Sequence, residues 1–251
     1  MLRITKYLIT FFIVGQVISC QDNTYNSNRN HSEFDPVTEL LIPERSENAI
    51  SGSNFSNYVK TMSIIDREKA VLRQIADGNI PSFSRALKAI KTNRTINSIE
   101  YDLTIFTTTD YMAIGSDDNY FYIPLTPIVA QFLADKINCI LPTKKIVDEI
   151  YSASDLKLNP QPIPPSDKMT TVSIFVQHSD SIKQQINAIK HERQSGEIVG
   201  GHKKDVIISN KIYSDDRNFE RVVIYGWHLS VNNPIQPVYN GHASFYADYS
   251  H

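Results

Sequence analysis

Only two cysteines occur in the 251 residues, Cys20 and Cys139. That excludes a disulfide framework and every zinc site built on paired Cys-x-x-Cys. No His-Glu-x-x-His stretch occurs either, so none of the compact zinc signatures is present. Basic residues form no block, and Lys and Arg number 25 against 27 Asp and Glu. Nothing in the chain therefore recruits nucleic acid, or an anionic membrane surface, through charge alone. No internal repeat is visible, and no apolar run approaches the ~20 residues that a spanning helix needs. What remains is globular composition, 41% hydrophobic and 21% charged.

The longest apolar run lies at the start. Arg3 and Lys6 give a short cationic beginning, and Leu8 to Ile18 is broken only by Thr10, Gly15 and Gln16. That length fits the hydrophobic region of a signal peptide. Val17-Ile18-Ser19-Cys20 closes it, and a small residue directly before a cysteine resembles the lipobox of bacterial lipoproteins. The resemblance implies cleavage before Cys20, a diacylglyceryl thioether on its sulfur and acylation of the new amino terminus. Several acyl chains together hold a protein on a bilayer where one does not. The expected partner is a lipid bilayer, and the expected location is the cell envelope, periplasmic or surface-exposed. Removing residues 1–19 takes away two cations and no anion, leaving a net charge of −4. With Cys20 lipidated, Cys139 is the one remaining thiol, and the fold depends on its core.

The expected organisation is a signal peptide over 1–19, a lipidated cysteine with a flexible tether over 20–57, and a single globular domain over 58–251. The segment from Gln21 to Asn30 is too polar to order itself, while Glu39-Leu40-Leu41-Ile42-Pro43 is an apolar island able to dock on the domain. Asp66 is the expected cap of a helix over 67–76 that Gly78 stops. Pro81-Ser82 is expected to open a helix running to about Lys91 and burying Phe83, Leu87 and Ile90. Ile99, Tyr101, Leu103 and Ile105 alternate with polar residues, the period of a half-buried strand. Residues 111–114 and 120–123 flank a hairpin turn. Thr126-Pro127 predicts the cap and first turn of a helix to about Asn138, with Ile128, Val129, Phe132, Leu133 and Ile137 as its buried stripe. Further helices are expected over 143–152 and 181–193, separated by a proline-rich connector over 159–165. Strands are expected over 206–209, 221–228, 235–239 and 245–249. Helices in the N-terminal half and mostly antiparallel β-structure in the C-terminal part define an α+β class.

Side chains able to move protons or bind metal concentrate at the C-terminus. His202, His228, His242 and His251 fall in the last fifty residues, with Asp205, Asp248, Tyr225, Trp227 and Lys204 around them. Neutral imidazole is a common metal ligand and titrates near neutral pH, so such a group suits acid–base work or a divalent metal as cofactor. His202, Asp205, His228, His242, Asp248 and His251 are the candidate catalytic lining. Tyr225, Trp227 and Lys204 are candidate substrate contacts. Each has an ordinary structural alternative: a hydrogen-bonded histidine at a strand end, a solvated lysine, or an aromatic packed in the core. In Gly200-Gly201-His202-Lys203-Lys204-Asp205 the glycines permit close backbone approach by a ligand or by another chain segment.

Cys139 is the alternative nucleophile. A cysteine near a helix start, followed by strands carrying histidine, is the chain order of papain-like wall peptidases, although Ile140-Leu141 gives this cysteine an apolar setting. Ile140-Leu141-Pro142-Thr143-Lys144-Lys145-Ile146-Val147-Asp148, Gly201-His202-Lys203-Lys204-Asp205-Val206, Ile224-Tyr225-Gly226-Trp227-His228, Pro234-Ile235-Gln236-Pro237 and Asp248-Tyr249-Ser250-His251 together resemble an uncharacterised family of secreted bacterial proteins. That resemblance covers roughly 65–251 and implies export, with no activity attached. Tyr249-Ser250-His251 resembles the start of the Ser-His-Gly-Cys stretch of L,D-transpeptidases, and the natural chain is expected to continue beyond His251. The leading functional expectation is a hydrolase acting on an envelope or extracellular polymer. A non-catalytic glycan- or protein-binding lipoprotein is the competing one.

Overall fold

The computed structural model describes residues 38–189, 196–212 and 222–239. The leader, Cys20, His242, Asp248, His251 and the expected strand over 245–249 lie outside the described residues. Within them the protein is α+β, five helices with short, mainly antiparallel sheets, and the last described stretches, 196–212 and 222–239, carry strands and no α-helix. None of the described helices is long and apolar enough to cross a membrane.

Order begins earlier than residue 58. The Glu39 island does dock: Leu40 is buried, and Glu39 bridges Ala86. Helix α1 (Gly52–Val59), capped by Ser51, buries Phe55 and Val59 in the main apolar core. Helix α2 (Ile64–Ala76) starts one turn before Arg67, because Ser63 and not Asp66 is its cap. The Ser63 hydroxyl accepts from the Asp66 N–H and donates to the Asp66 carboxylate, which stands in the first turn where the helix dipole favours it.

The expected helix from Pro81 is a strand. After a single turn over Ser82–Ser84, β1 (Leu87–Ile96) pairs along ten residues with β2 (Ile99–Thr108), Leu87 opposite Thr108. Phe83, Leu87 and Ile90 have helical spacing. Ile90, Thr92, Thr95 and Ile96 are β-branched, however, and Asn97 and Ser98 both take positive φ, the tight hairpin turn that matches strand twist. Strands β3 (Ala113–Gly115) and β4 (Tyr120–Tyr122) form the expected hairpin.

Helix α3 (Pro127–Ile137) has Thr126 as its cap and ends on Asn138 in the left-handed region. Its buried face is Val129, Ala130, Leu133, Ala134 and Ile137, so the two alanines stand where Ile128 and Phe132 were expected; those two are exposed. Helix α4 (Lys144–Ala153), capped by Thr143, follows the expectation. Helix α5 (Val172–Ala188) begins nine residues before Ser181. Its buried stripe is Val172, Phe175, Ser179, Ile182 and Ile186, with His178 beside it, and these two polar members conceal the helical period.

Strand β5 (Leu156–Lys157) pairs in parallel with β6 (Val199–Gly200), and β7 (Lys204–Val206), β8 (Ile224–Ser230) and β9 (Asn233–Gln236) form an antiparallel sheet in the order β7-β8-β9. In β8 the backbone of Gly226 (φ +140°) and Trp227 (φ +55°) departs from regular extension. Left-handed φ at a tryptophan is strained, and here it breaks the strand's alternation. Tyr225 and His228, three positions apart, consequently reach the same carboxylate.

Candidate functional site

Two aspartate–histidine clusters border one cavity. The cavity measures about 110 Å³ and runs between α3, α4 and the β5–β6 and β7–β8 strands; Asp110, Asp205 and His228 are on its wall, with Tyr111 and Tyr151. The rest of the lining is mostly aliphatic, including Leu125, Ala130, Ile137, Val147 and Ile150.

The first cluster is closed to solvent. The Tyr122 hydroxyl donates to Asp110 Oδ2 at 2.6 Å, and the Tyr111 N–H donates to Asp110 Oδ1 at 2.7 Å. His202 Nε2 stands 3.2 Å from Asp110 Oδ1, close enough for an ion pair but not aligned for a hydrogen bond, and both side chains are fully buried. Lys203 Nζ meets His178 Nδ1 at 2.9 Å, and its ammonium lies over the Tyr122 ring. Burial lowers Lys203 to about 7, against the pull of Asp110, and burial followed by the charge of Lys203 holds His178 far below its usual value. The Tyr111 hydroxyl donates to Asp205 Oδ2 at 3.0 Å. Burial nevertheless dominates at Asp205 and raises its carboxyl to about 8, so the group is protonated at neutral pH.

The second cluster opens toward solvent. Asp148 accepts from Lys144 Nζ at 2.6 Å and from the Tyr225 hydroxyl at 2.6 Å. His228 Nε2 approaches the same Oδ1 at 3.4 Å while its ring stacks on Tyr151, centroids 4.5 Å apart. Burial works to raise Asp148, but the hydrogen bonds from Lys144 and Tyr225 outweigh it and hold the carboxyl below its usual value. Burial lowers His228 even though Asp148 opposes it, so the imidazole is neutral at neutral pH. With Nε2–H directed at Asp148, Nδ1 carries the lone pair.

The expected site is thus partly assembled and partly corrected. His202, Asp205 and His228 are brought into one neighbourhood, Asp205 and His228 on the cavity wall and His202 behind Asp110. Tyr225 and Trp227 are buried and do not line the cavity: Tyr225 holds Asp148, and the Trp227 indole N–H donates to the His202 carbonyl at 3.1 Å. Lys204 is no substrate contact either, since it is buried with its ammonium 4.5 Å from the Trp227 ring centroid. The alternative of a solvated lysine fails at Lys204 for the same reason, and its neighbour Lys203 is buried as well. The two glycines serve another chain segment: a Cβ on Gly201 would stand 2.5 Å from the Leu158 carbonyl and 3.1 Å from the Tyr151 ring.

Cys139 is buried beside the cavity, its S–H donates to the Ile137 carbonyl, and burial pushes its pKa far up. That setting opposes the thiolate a papain-like nucleophile requires. Among the described residues no three His, Cys, Asp or Glu side chains are grouped to hold a metal ion. Sequence reasoning missed Asp110, Tyr111, Tyr122, His178 and Tyr151, which come from distant hairpins and helices. Asp148 and Lys144 lie in the segment from Ile140 to Asp148, to which the sequence assigns no chemistry. Comparison with family models, curated proteins and solved structures gives no match.

Proposed function

We propose that the chain is an exported, lipid-anchored hydrolase of the cell envelope, acting on an envelope or extracellular polymer by acid–base catalysis. The observation that carries this is the pairing, on one cavity wall, of a neutral histidine backed by an aspartate with a second, protonated carboxyl on a neighbouring strand. Two groups whose surroundings drive their proton affinities apart are the pattern of a base and an acid. His228 Nδ1 takes a proton from water, whose oxygen bonds to the electrophilic carbon of the scissile link. As that carbon's bond to the leaving group breaks, Asp205 gives the leaving atom its proton, and solvent returns the proton from His228 to Asp205. Asp148 orients His228 and stabilises its cationic form.

The competing reading, a glycan- or protein-binding lipoprotein, needs only an exposed aromatic surface, and Tyr225 and Trp227, the expected substrate contacts, are buried and supply none. The test uses the full chain purified in detergent micelles with peptidoglycan and a polysaccharide panel, products being read by mass spectrometry. Release of product, reduced about 10²–10⁴-fold in His228→Ala, is expected of a general base. No product, or equal product from His228→Ala, refutes the reading. Cys20→Ala is expected to leave the membrane fraction when cells are fractionated.

A further inference from the structure

We propose that the cavity receives the acyl half of the substrate, a neutral aliphatic group of about four carbons carried as an ester on a larger molecule. The inference rests on the hydrolase reading and names what that site cleaves.

Size comes first. A cavity of ~150 Å³ lined by Leu, Ile and Phe takes one benzene ring, and this one, at about 110 Å³, has room for less. A polymer backbone cannot enter it, whereas a short substituent can. Chemistry comes second. Leu125, Ala130, Ile137, Leu141, Val147 and Ile150 offer no hydrogen bond from their side chains, so the group that fills this end is hydrocarbon. Among the described residues no Lys or Arg lines the cavity, and the carboxyls that do are Asp110 and Asp205. An acyl group bearing a carboxylate or phosphate would bury a charge with no partner there. Position comes third. Asp205, Tyr111 and His228 share the wall with these aliphatic residues, so a carbonyl at their boundary places its alkyl chain against α3 and α4 and its leaving oxygen toward the larger molecule outside. Hydrolysis then releases a short-chain acid and leaves a free hydroxyl on the carrier.

The experiment measures kcat/KM of the full chain in micelles on the p-nitrophenyl esters of acetate, butyrate, hexanoate and decanoate. Butyrate is expected to exceed acetate about tenfold, for two buried methylenes, and decanoate to fall at least as far below butyrate. His228→Ala is expected to lose this turnover, which separates the site from adventitious surface histidines. Ala130→Leu fills the cavity and should move the optimum to acetate. Leu141→Ala, at a half-buried position, enlarges it and should move the optimum to hexanoate; it carries the test if Ala130→Leu fails to fold. An unchanged chain-length profile in a folded variant, or rates still rising through decanoate, overturns the proposal. Polymer fragments without ester turnover overturn it while leaving the hydrolase reading intact. Neither product from any substrate removes both.

Discussion

The two aspartate–histidine clusters are built from the same chemistry and differ in their access to water. Asp148 has half-exposed Lys144 as its cationic partner and is held ionised; Asp110 answers to Lys203, which is 2% exposed and lowered by burial. Next to that closed cluster, Asp205 is pushed the other way from Asp148 and keeps its proton. Partners, more than residue identity, therefore set the two carboxyls apart: the Lys144 ammonium and the Tyr225 hydroxyl hold Asp148 ionised, whereas the Tyr111 hydroxyl does not offset burial at Asp205.

The comparison breaks most visibly on stability. Asp110→Ala removes the acceptor of the Tyr122 hydroxyl and the Tyr111 N–H and the negative charge facing Lys203 and His202. Breaking a buried charge network in this way costs about 3–5 kcal/mol. Lys144→Ala removes an ion pair whose lysine side chain is 51% exposed, and about 1 kcal/mol or less is expected. Urea unfolding of both variants reads the difference directly. Equal losses would mean that the closed cluster is not more desolvated than the open one.

How much of this was legible in the sequence depended on how local the cause was. The cap at Thr126, the break at Asn138, the helix over α4 and the alternation in β2 follow from adjacent residues, and they stand where the pattern placed them. Strand β1 was hidden because Leu87 and Ile90 fit a helix until the ten-residue pairing with β2 is known. The start of α5 was hidden because His178 and Ser179 occupy buried positions that a hydrophobic stripe would fill. The site divides in the same way. His202, Asp205 and His228 stood out as ionisable residues clustered along the chain, whereas Asp110 joins them only through a contact spanning ninety-two positions. The left-handed Gly226-Trp227 step, which turns His228 toward Asp148, has no signature in an alternating pattern.

A second measurement sharpens the contrast through pH. Asp205 releases its proton near 8 in the folded protein and near its ordinary 3.8 when unfolded. Between these values the folded state holds a proton that the unfolded state has lost, so rising pH favours unfolding. The group withdraws up to about 1.4 kcal/mol of stability per pH unit across that window. Lys203 acts oppositely and later: from about 7 up to its ordinary 10.5 the unfolded state holds the extra proton, so rising pH favours the fold. The stability difference between Asp205→Asn and the native chain should therefore grow from pH 5 to pH 7 in paired urea titrations. A difference constant over that range would show that Asp205 ionises normally and cannot be the acid.

The smallest expected effect separates the cavity's wall from its chemistry. Cys139 lines the same cavity as His228 and Asp205, yet its thiol donates to the Ile137 carbonyl and burial disfavours its anion. A buried thiol of this kind acts as a small hydrophobe. Cys139→Ala is accordingly expected to cost about 1 kcal/mol through the lost sulfur contacts and to leave ester turnover within about threefold, because removing one wall atom alters fit more than proton transfer. Alkylating reagents should leave the native protein active, since the sulfur is 1% exposed. A Cys139→Ala variant that folds but loses turnover to the level of His228→Ala would reverse the assignment: the wall would then supply the nucleophile, and His228 would activate sulfur instead of water.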